Sequence, residues 1–304
     1  MAIETASTAK NGFQRGNNWF ITGASSGFGR LLAEYLLKQG ATVVVTARNV
    51  DDLSDFTSRY PGAVLLPLDV TDEGSIRHAV QDAIGHVGHI DVLVNNAGYG
   101  VCGAVEEVTE AEYQPMFETN VFGLINLTKA FLPMFRERRS GAIINLSSIG
   151  GLIGSPGWGY YNATKFAVEG LTEALHGELA PMGVHVMLVE PGPFRTDFLG
   201  RSGKEAARRI ADYEPTVGKT RDYFQQQAGK QAGDPQRAIE AIVEAVNAPE
   251  PPKHLLLGKL ALQRFRKHIA DWSAELDKWQ DLTNGADFPE SEQKAPAVAA
   301  YGGR

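Results

Sequence analysis

Thr22-Gly23-Ala24-Ser25-Ser26-Gly27-Phe28-Gly29 follows a short apolar run at 19–22 (WFIT). It precedes a segment whose apolar residues, Leu31, Leu32, Tyr35 and Leu36, recur at helical spacing. A strand, a glycine-rich turn and a helix in that order make a phosphate-binding loop. The turn is tight, glycine lets the backbone approach a phosphate closely, and the helix behind it offers free N–H groups with partial positive charge. The glycine spacing is GxxxGxG, and glycines alone are weak evidence, so the position at the first strand–helix junction carries the reading. Gly23, Ser25, Ser26, Gly27, Phe28 and Gly29 are the expected loop residues.

Outward from this loop, 42–46 (TVVVT) is continuous and β-branched, as in a strand buried on both faces. Gly40 before it is a helix stop. Further strands are predicted at 64–68, 91–94 (DVLV), 142–146 (AIINL), 184–189 (VHVMLV) and, briefly, 255–257. Helices are predicted at 75–84, 110–135 (with Pro133 near its end) and 161–180. Strand and helix in alternation imply parallel pairing with right-handed crossovers. The expected fold is α/β: a single-domain Rossmann-type doubly wound parallel sheet flanked by helices, over 17–283. The polar, glycine-bearing stretch 193–235 interrupts the pattern and reads as a mobile substrate lid. Residues 1–16 read as a flexible arm, and 284–304 as a disordered tail.

The chain has 304 residues, 43% hydrophobic and 21% charged, which suits a soluble globular protein. A net charge of −7 argues against nucleic acid or an anionic membrane as partner. No apolar stretch approaches the roughly 20 residues that span a bilayer, and the N-terminus lacks a signal-peptide pattern. The single cysteine, Cys102, excludes an intrachain disulfide and fits a cytoplasmic location; it reads as a small hydrophobe. No metal site is expected.

The second strand ends Thr46-Ala47-Arg48. A site for NAD usually carries an acid there, about 20 residues beyond the glycine loop, on the ribose 2′-hydroxyl. Here no carboxylate appears before Asp51, and the guanidinium of Arg48 suits a 2′-phosphate that an acid would repel. The sequence therefore predicts NADP(H). Asp69, followed by Val70, is placed either to accept from the adenine amine or to cap the next helix.

Tyr161 and Lys165 lie four apart on one predicted helix, so their side chains share a face. An ammonium about 4 Å from a phenol favours phenolate by about 4 kcal/mol at an effective dielectric near 20. That is enough to bring the hydroxyl toward the range of efficient acid–base catalysis. Ser148 stands at the carboxyl end of the fifth predicted strand, where open α/β sheets bind ligands. Ser147 is next to it, and adjacent strand-end residues point to opposite sides.

TGASSGFG at 22–29, NNAG at 95–98, Asn120, Ser148, YNATK at 161–165 and PGPFRT at 191–196 together resemble the classical short-chain dehydrogenases/reductases. The likeness is strong over about 17–197. It implies hydride transfer between the nicotinamide and a secondary alcohol or ketone (or a primary alcohol or aldehyde). It implies Tyr161 as acid/base, Lys165 lowering its pKa and holding the nicotinamide ribose, Ser148 orienting substrate, and Asn120 holding a proton-relay water. By the same resemblance Asn96, Ala97 and Gly98 line the cofactor cleft, and Pro191, Gly192 and Thr196 touch the nicotinamide end. The family's spacing favours Ser148 over Ser147, and TAR resembles its NADP-preferring members. The family commonly forms dimers or tetramers through its fourth and fifth helices, where Tyr113, Met116, Phe117, Phe131 and Phe135 are surface or core. Glycine spacing and length disfavour an extended-type epimerase or dehydratase; the intact catalytic set disfavours a non-catalytic NADP-binding sensor. Phe194, Phe198, Leu199, Tyr213, Tyr223 and Phe224, with Trp158 and Tyr160, are candidate linings of an apolar pocket for a bulky carbonyl or alcohol substrate.

Overall fold

Val43, Val44 and Val45 are fully buried although their side chains alternate in direction, so the second strand must have helices on both faces. The computed structural model, which describes residues 15–200 and 202–289, shows how. In chain order the elements are β1 (Asn18–Ile21), α1 (Gly27–Lys38), β2 (Thr42–Ala47), α2 (Ser54–Arg59), β3 (Ala63–Pro67), α3 (Glu73–Val87), β4 (Val92–Asn95), β5 (Gly100–Cys102), α4 (Glu110–Phe117), α5 (Leu124–Arg138), β6 (Gly141–Leu146), α6 (Gly159–Leu179), β7 (Val184–Pro191), β8 (Gly203–Glu205), α7 (Lys219–Gln227), α8 (Pro235–Val246), β9 (His254–Leu257) and α9 (Lys259–Asn284).

Seven strands form one parallel sheet in the order β3-β2-β1-β4-β6-β7-β9. The order reverses between β1 and β4, and the crevice beyond their carboxyl ends is where such sheets take ligands. Strand alternation divides the core in two. Trp19, Ile21, Val43, Val45, Val92 and Val94 pack with Leu32 and Leu36 of α1 and Ile239 and Ile242 of α8. Phe20, Val44, Leu93 and Ile143 pack on the other face with Ile76 of α3, Phe131 of α5 and Leu175 of α6. The doubly wound sheet expected from the alternating pattern is present.

Several details depart from that pattern. The helix expected over 110–135 runs to Arg138, but the turn Glu118–Gly123 between α4 and α5 is a π-helix. Such turns interrupt the regular ladder and recur at functional sites. Asp72, whose carboxylate accepts from Ser75 N at 2.8 Å, caps α3. Asp69 instead folds back on Thr71, accepting from its amide at 2.9 Å and its hydroxyl at 2.7 Å. Met116, Phe131 and Phe135 are fully buried, so they belong to the core and offer no surface for assembly.

The 193–235 stretch holds β8 and α7, and β8 pairs in parallel with β5 in a second, two-stranded sheet. Glu107, fully buried, accepts from Ala104 N and Ile210 N at 2.7 Å each and from the buried guanidinium of Arg221. Glu112 accepts from Ala207 N. The segment is thus fastened to the body by main chain and by a buried ion pair.

The chain divides into two compact units, residues 1–262 and residues 263–304. The described part of the second begins within α9. Of the arm expected at 1–16, only Arg15 and Gly16 are described, and the tail expected at 284–304 lies outside the described residues from 290 on. No described helix is long and apolar enough to cross a membrane.

Candidate active site

The glycine loop runs from β1 into α1. Gly23 and Gly27 adopt positive φ of 64° and 56°, a region costly for residues with a Cβ. Ser26, the N-cap of α1, is extended and makes no side-chain capping bond, so the first-turn N–H groups point outward. A Cβ on Gly27 would meet nothing within 4 Å, whereas one on Gly29 would stand 2.6 Å from Gly23 O. The loop is open toward the crevice and closed toward the sheet, a cradle that fits a pyrophosphate.

Thr22 and Asn96 lock this cradle to β4. The Thr22 hydroxyl accepts from Asn96 N at 2.8 Å and Ala97 N at 2.9 Å, and Asn96 Nδ2 donates to Thr22 O at 2.8 Å and Gly23 O at 3.1 Å. Beneath, Asn95 donates to Thr128 and to Asn145, which donates to Thr172, all buried. Thr22, Asn95 and Asn145 carry the site although the sequence reading gave them no role. Polar residues in buried strands were the available signal, since such groups occur where they can be bonded. Arg48 is exposed at the carboxyl end of β2, Asp69 is half-buried at that of β3, and Val70 is buried against Gly123.

Ser148 and Tyr161 meet at the carboxyl end of β6. The Ser148 hydroxyl accepts from Gly150 N at 3.0 Å and lies beside Tyr161: a Cβ on Gly150 would stand 3.4 Å from both Ser148 Oγ and Tyr161 Cε1. Ser147 faces away: a Cβ on Gly151 would stand 2.6 Å from Ser147 Oγ and 2.8 Å from Glu169 Oε1. Lys165 is buried, with Nζ 2.6 Å from Leu146 O, to which it donates, and 5.8 Å from the Tyr161 ring centre. A Cβ on Gly98 would lie 3.1 Å from Asn120 Oδ1 and 3.8 Å from Lys165 Nζ, so these residues share one wall.

The electrostatics correct one expectation. Burial pushes Tyr161 up to about 12, opposed by the Ser148 hydrogen bond. Burial lowers Lys165 to about 8, opposed by the Glu169 carboxylate. The anticipated lowering of the phenol by the ammonium is absent, because desolvation penalises both charged forms and outweighs an attraction across the observed separation. Asn120, on the π-turn, is also more constrained than expected. Its amide accepts from Tyr99 N at 3.0 Å and donates to Tyr99 O at 2.7 Å and Thr164 Oγ1 at 3.1 Å. Its side chain holds the segment between β4 and β5 against α6.

Trp158, Phe198 and Phe224 gather over Tyr161. Ring centres lie 5.6 Å apart for Trp158–Tyr161, 5.7 Å for Tyr161–Phe198 and 5.7 Å for Trp158–Phe224. Of the other expected pocket residues, the Leu199 side chain lies outside what the structure describes, and the rest are elsewhere. Phe194 packs on Phe28 at 5.5 Å, Tyr160 stacks on Tyr113 at 4.5 Å, Tyr213 donates to Glu106, and Tyr223 is half-exposed. Pro191 is buried and ends β7, Gly192 donates to Leu257 O at 2.9 Å, and Thr196 caps the next helical turn through Phe198 N.

Behind the site, Glu169 and Glu190 are buried beside His254, whose Nδ1 is 2.7 Å from Glu190 Oε1. Burial raises both carboxyls, Glu169 to about 7 and Glu190 to about 8.

A family model for short chain dehydrogenases matches residues 17–207. The chain belongs to the short-chain dehydrogenase/reductase family. Within it, a 3-ketodihydrosphingosine reductase from Bacteroides thetaiotaomicron is 41% identical over 81% of this chain and 90% of its own. A solved short-chain dehydrogenase from Streptomyces avermitilis is 42% identical at a TM-score of 0.84, covering 89% of this chain and 98% of that one. Family members from Burkholderia phymatum, in complex with NAD (25% identical, TM-score 0.75, 88% of this chain and 97% of that one), and Burkholderia cenocepacia, in complex with NADP (27%, 0.68, 87% and 98%), share the fold. The protein is an oxidoreductase of this family, built around a nicotinamide dinucleotide site.

Proposed function

We propose that the protein is an NADP(H)-dependent reductase/dehydrogenase that interconverts a bulky, largely apolar ketone and its secondary alcohol, or an aldehyde and its primary alcohol, with Tyr161 as proton donor and acceptor. The observation that carries this reading is Ser148 set beside Tyr161 beneath the aromatic cover of Trp158 and Phe198. The cradle of Gly23, Ser25, Ser26, Gly27, Phe28 and Gly29 holds the pyrophosphate, Asn96, Ala97 and Gly98 line the cleft, and Lys165 holds the nicotinamide ribose. Pro191, Gly192 and Thr196 border the nicotinamide end, and Asp69 and Val70 the adenine. When bound, the nicotinamide supplies or removes the hydride.

In the reduction direction Tyr161 gives its hydroxyl proton to the carbonyl oxygen. A phenol held near 12 is fully protonated at neutral pH, which suits a donor. Ser148 holds the same oxygen, and the Lys165 ammonium stabilises the charge that develops there. Asn120 fixes the segment carrying Tyr99 against α6 and so positions Lys165. Two features support NADP(H): Arg48 at the end of β2, and no acid in the position that would repel a 2′-phosphate. The reductase from Bacteroides thetaiotaomicron acts, by its name, on a ketone attached to a long-chain base, in keeping with an apolar pocket. The test is turnover of a panel of aryl, alicyclic and long-chain ketones with NADPH and with NADH. Reduction of at least one class with NADPH preferred is expected. Turnover confined to small polar carbonyls, or to NADH, overturns the reading.

A further inference from the structure

Helix α9 carries Leu262, Phe265, Ile269, Trp272, Leu276 and Trp279 at alternating steps of three and four residues. That is the seam of a helix meant to lie along another helix. Leu262, Ile269, Trp272, Leu276 and Trp279 are 41, 49, 57, 54 and 51% exposed, and among the described residues the exposed large apolar side chains outside α9 form no such row. Charge divides the same helix. Residues 259–270 hold Lys259, Arg264, Arg266 and Lys267 and no acid; residues 271–284 hold Asp271, Glu275, Asp277 and Asp281 against Lys278.

We infer that α9 pairs antiparallel with α9 of a second copy of this chain about a two-fold axis near Ala270 and Asp271. In that register every seam position meets another seam position: Leu262 lies level with Trp279 of the partner subunit, Phe265 with the partner subunit's Leu276, and Ile269 with the partner subunit's Trp272. The basic half lies on the acidic half, with Arg264 on the same flank as the partner's Glu275 and Arg266 on the same flank as the partner's Asp277. A parallel pair would set like charges side by side, which disfavours it. The contact is isologous, as closed two-fold dimers require. The seam spans 18 residues, about 27 Å of helix. With large side chains covering about 150–250 Å² each and about half of that exposed, the two copies bury roughly 1,000 Å², the lower bound for specific association. The dimer is therefore expected to be concentration-dependent.

The experiment is sedimentation equilibrium on the full chain between 1 and 100 μM. The expected result is self-association that Ile269→Glu/Trp272→Glu weakens at least 100-fold, halving the assembly mass, with the circular-dichroism melt of the main transition unchanged. Because such variants could act by loosening the helix, charge reversal provides the control. Arg264→Glu/Arg266→Glu alone and Glu275→Arg/Asp277→Arg alone each weaken the self-dimer, and an equimolar mixture of the two variants associates as a heterodimer. A wild type monomeric at 100 μM overturns the inference. So does an assembly mass indifferent to both sets of changes, or a mixture that fails to associate. Monomers that instead sediment with phosphatidylcholine–phosphatidylserine vesicles would make the seam a lipid surface and also overturn it.

Discussion

Replacing Glu190 by glutamine removes a carboxyl that sits fully buried on β7, immediately before Pro191 and Gly192. Desolvation, with the nearby Glu173 carboxylate adding to it, raises Glu190 from 4.5 to about 8. A carboxyl with a raised folded-state pKa binds its proton more tightly in the native state than in the unfolded chain. Its contribution is therefore fully present below about pH 4.5 and is lost as pH rises through about 8. At about 1.4 kcal/mol per pH unit the loss approaches 5 kcal/mol. The neighbouring His254, when cationic, offsets part of it, leaving a few kcal/mol on a total stability of about 5–15. Glutamine copies the protonated carboxyl in shape and cannot ionise. Urea unfolding midpoints measured from pH 5.5 to 9 should fall with pH in the wild type and fall much less in Glu190→Gln. The variant should be the more stable protein above pH 8. Parallel midpoint curves would refute the reasoning, since they would mean that Glu190 titrates alike in both states.

Tyr161→Phe is expected to lower kcat by 10²–10⁴ at unchanged affinity for the dinucleotide, about what a positioned acid/base contributes; a variant retaining more than about a tenth of the rate removes Tyr161 from the chemistry. Arg48→Glu is expected to weaken NADPH by about 10- to 100-fold, in line with about 1.5–3 kcal/mol for a charged hydrogen bond, and to spare NADH; fluorescence titration of both cofactors checks it, and equal losses contradict the 2′-phosphate assignment. Arg221→Ala leaves Glu107 buried without its cation and should cost about 3–5 kcal/mol in chemical unfolding, while a loss below 1 kcal/mol would show that the pair does not hold the 193–235 segment.

The sheet was legible because its signal is local and periodic. Trp19–Ile21 and Val43–Val45 carry the composition of strands covered on both faces, and β4, β6 and β7 repeat it. What the periodicity missed depends on long-range pairing. Three-residue strands such as β5 and β8 have no pattern of their own and exist because they pair with each other across about a hundred residues of chain. The site was legible in residue types and less so in their energetics. Strand alternation required that Ser147 and Ser148 face opposite sides, as the structure has them, while the choice of Ser148 came from the resemblance's spacing to Tyr161. The Tyr161 pKa was not foreseeable, because a charge argument uses separation while burial depends on everything packed around the pair. Among the aromatics, only contacts distinguish Phe198, over Tyr161, and Phe224, against Trp158, from Phe194, which sits on Phe28. Helix α9 passed unnoticed because its seam repeats every seven residues rather than facing a sheet.

Ser26 leaves the opening turn of α1 without a side-chain cap, where a cap typically contributes about 1 kcal/mol. On the function proposed above, the dinucleotide provides that closure. Such an arrangement makes the small molecule a structural component: at a concentration a hundred times its Kd it adds about 2.7 kcal/mol to folding. On that reading the folded fraction would rise and fall with the dinucleotide concentration, so that a scarce cofactor would cost the chain stability as well as turnover.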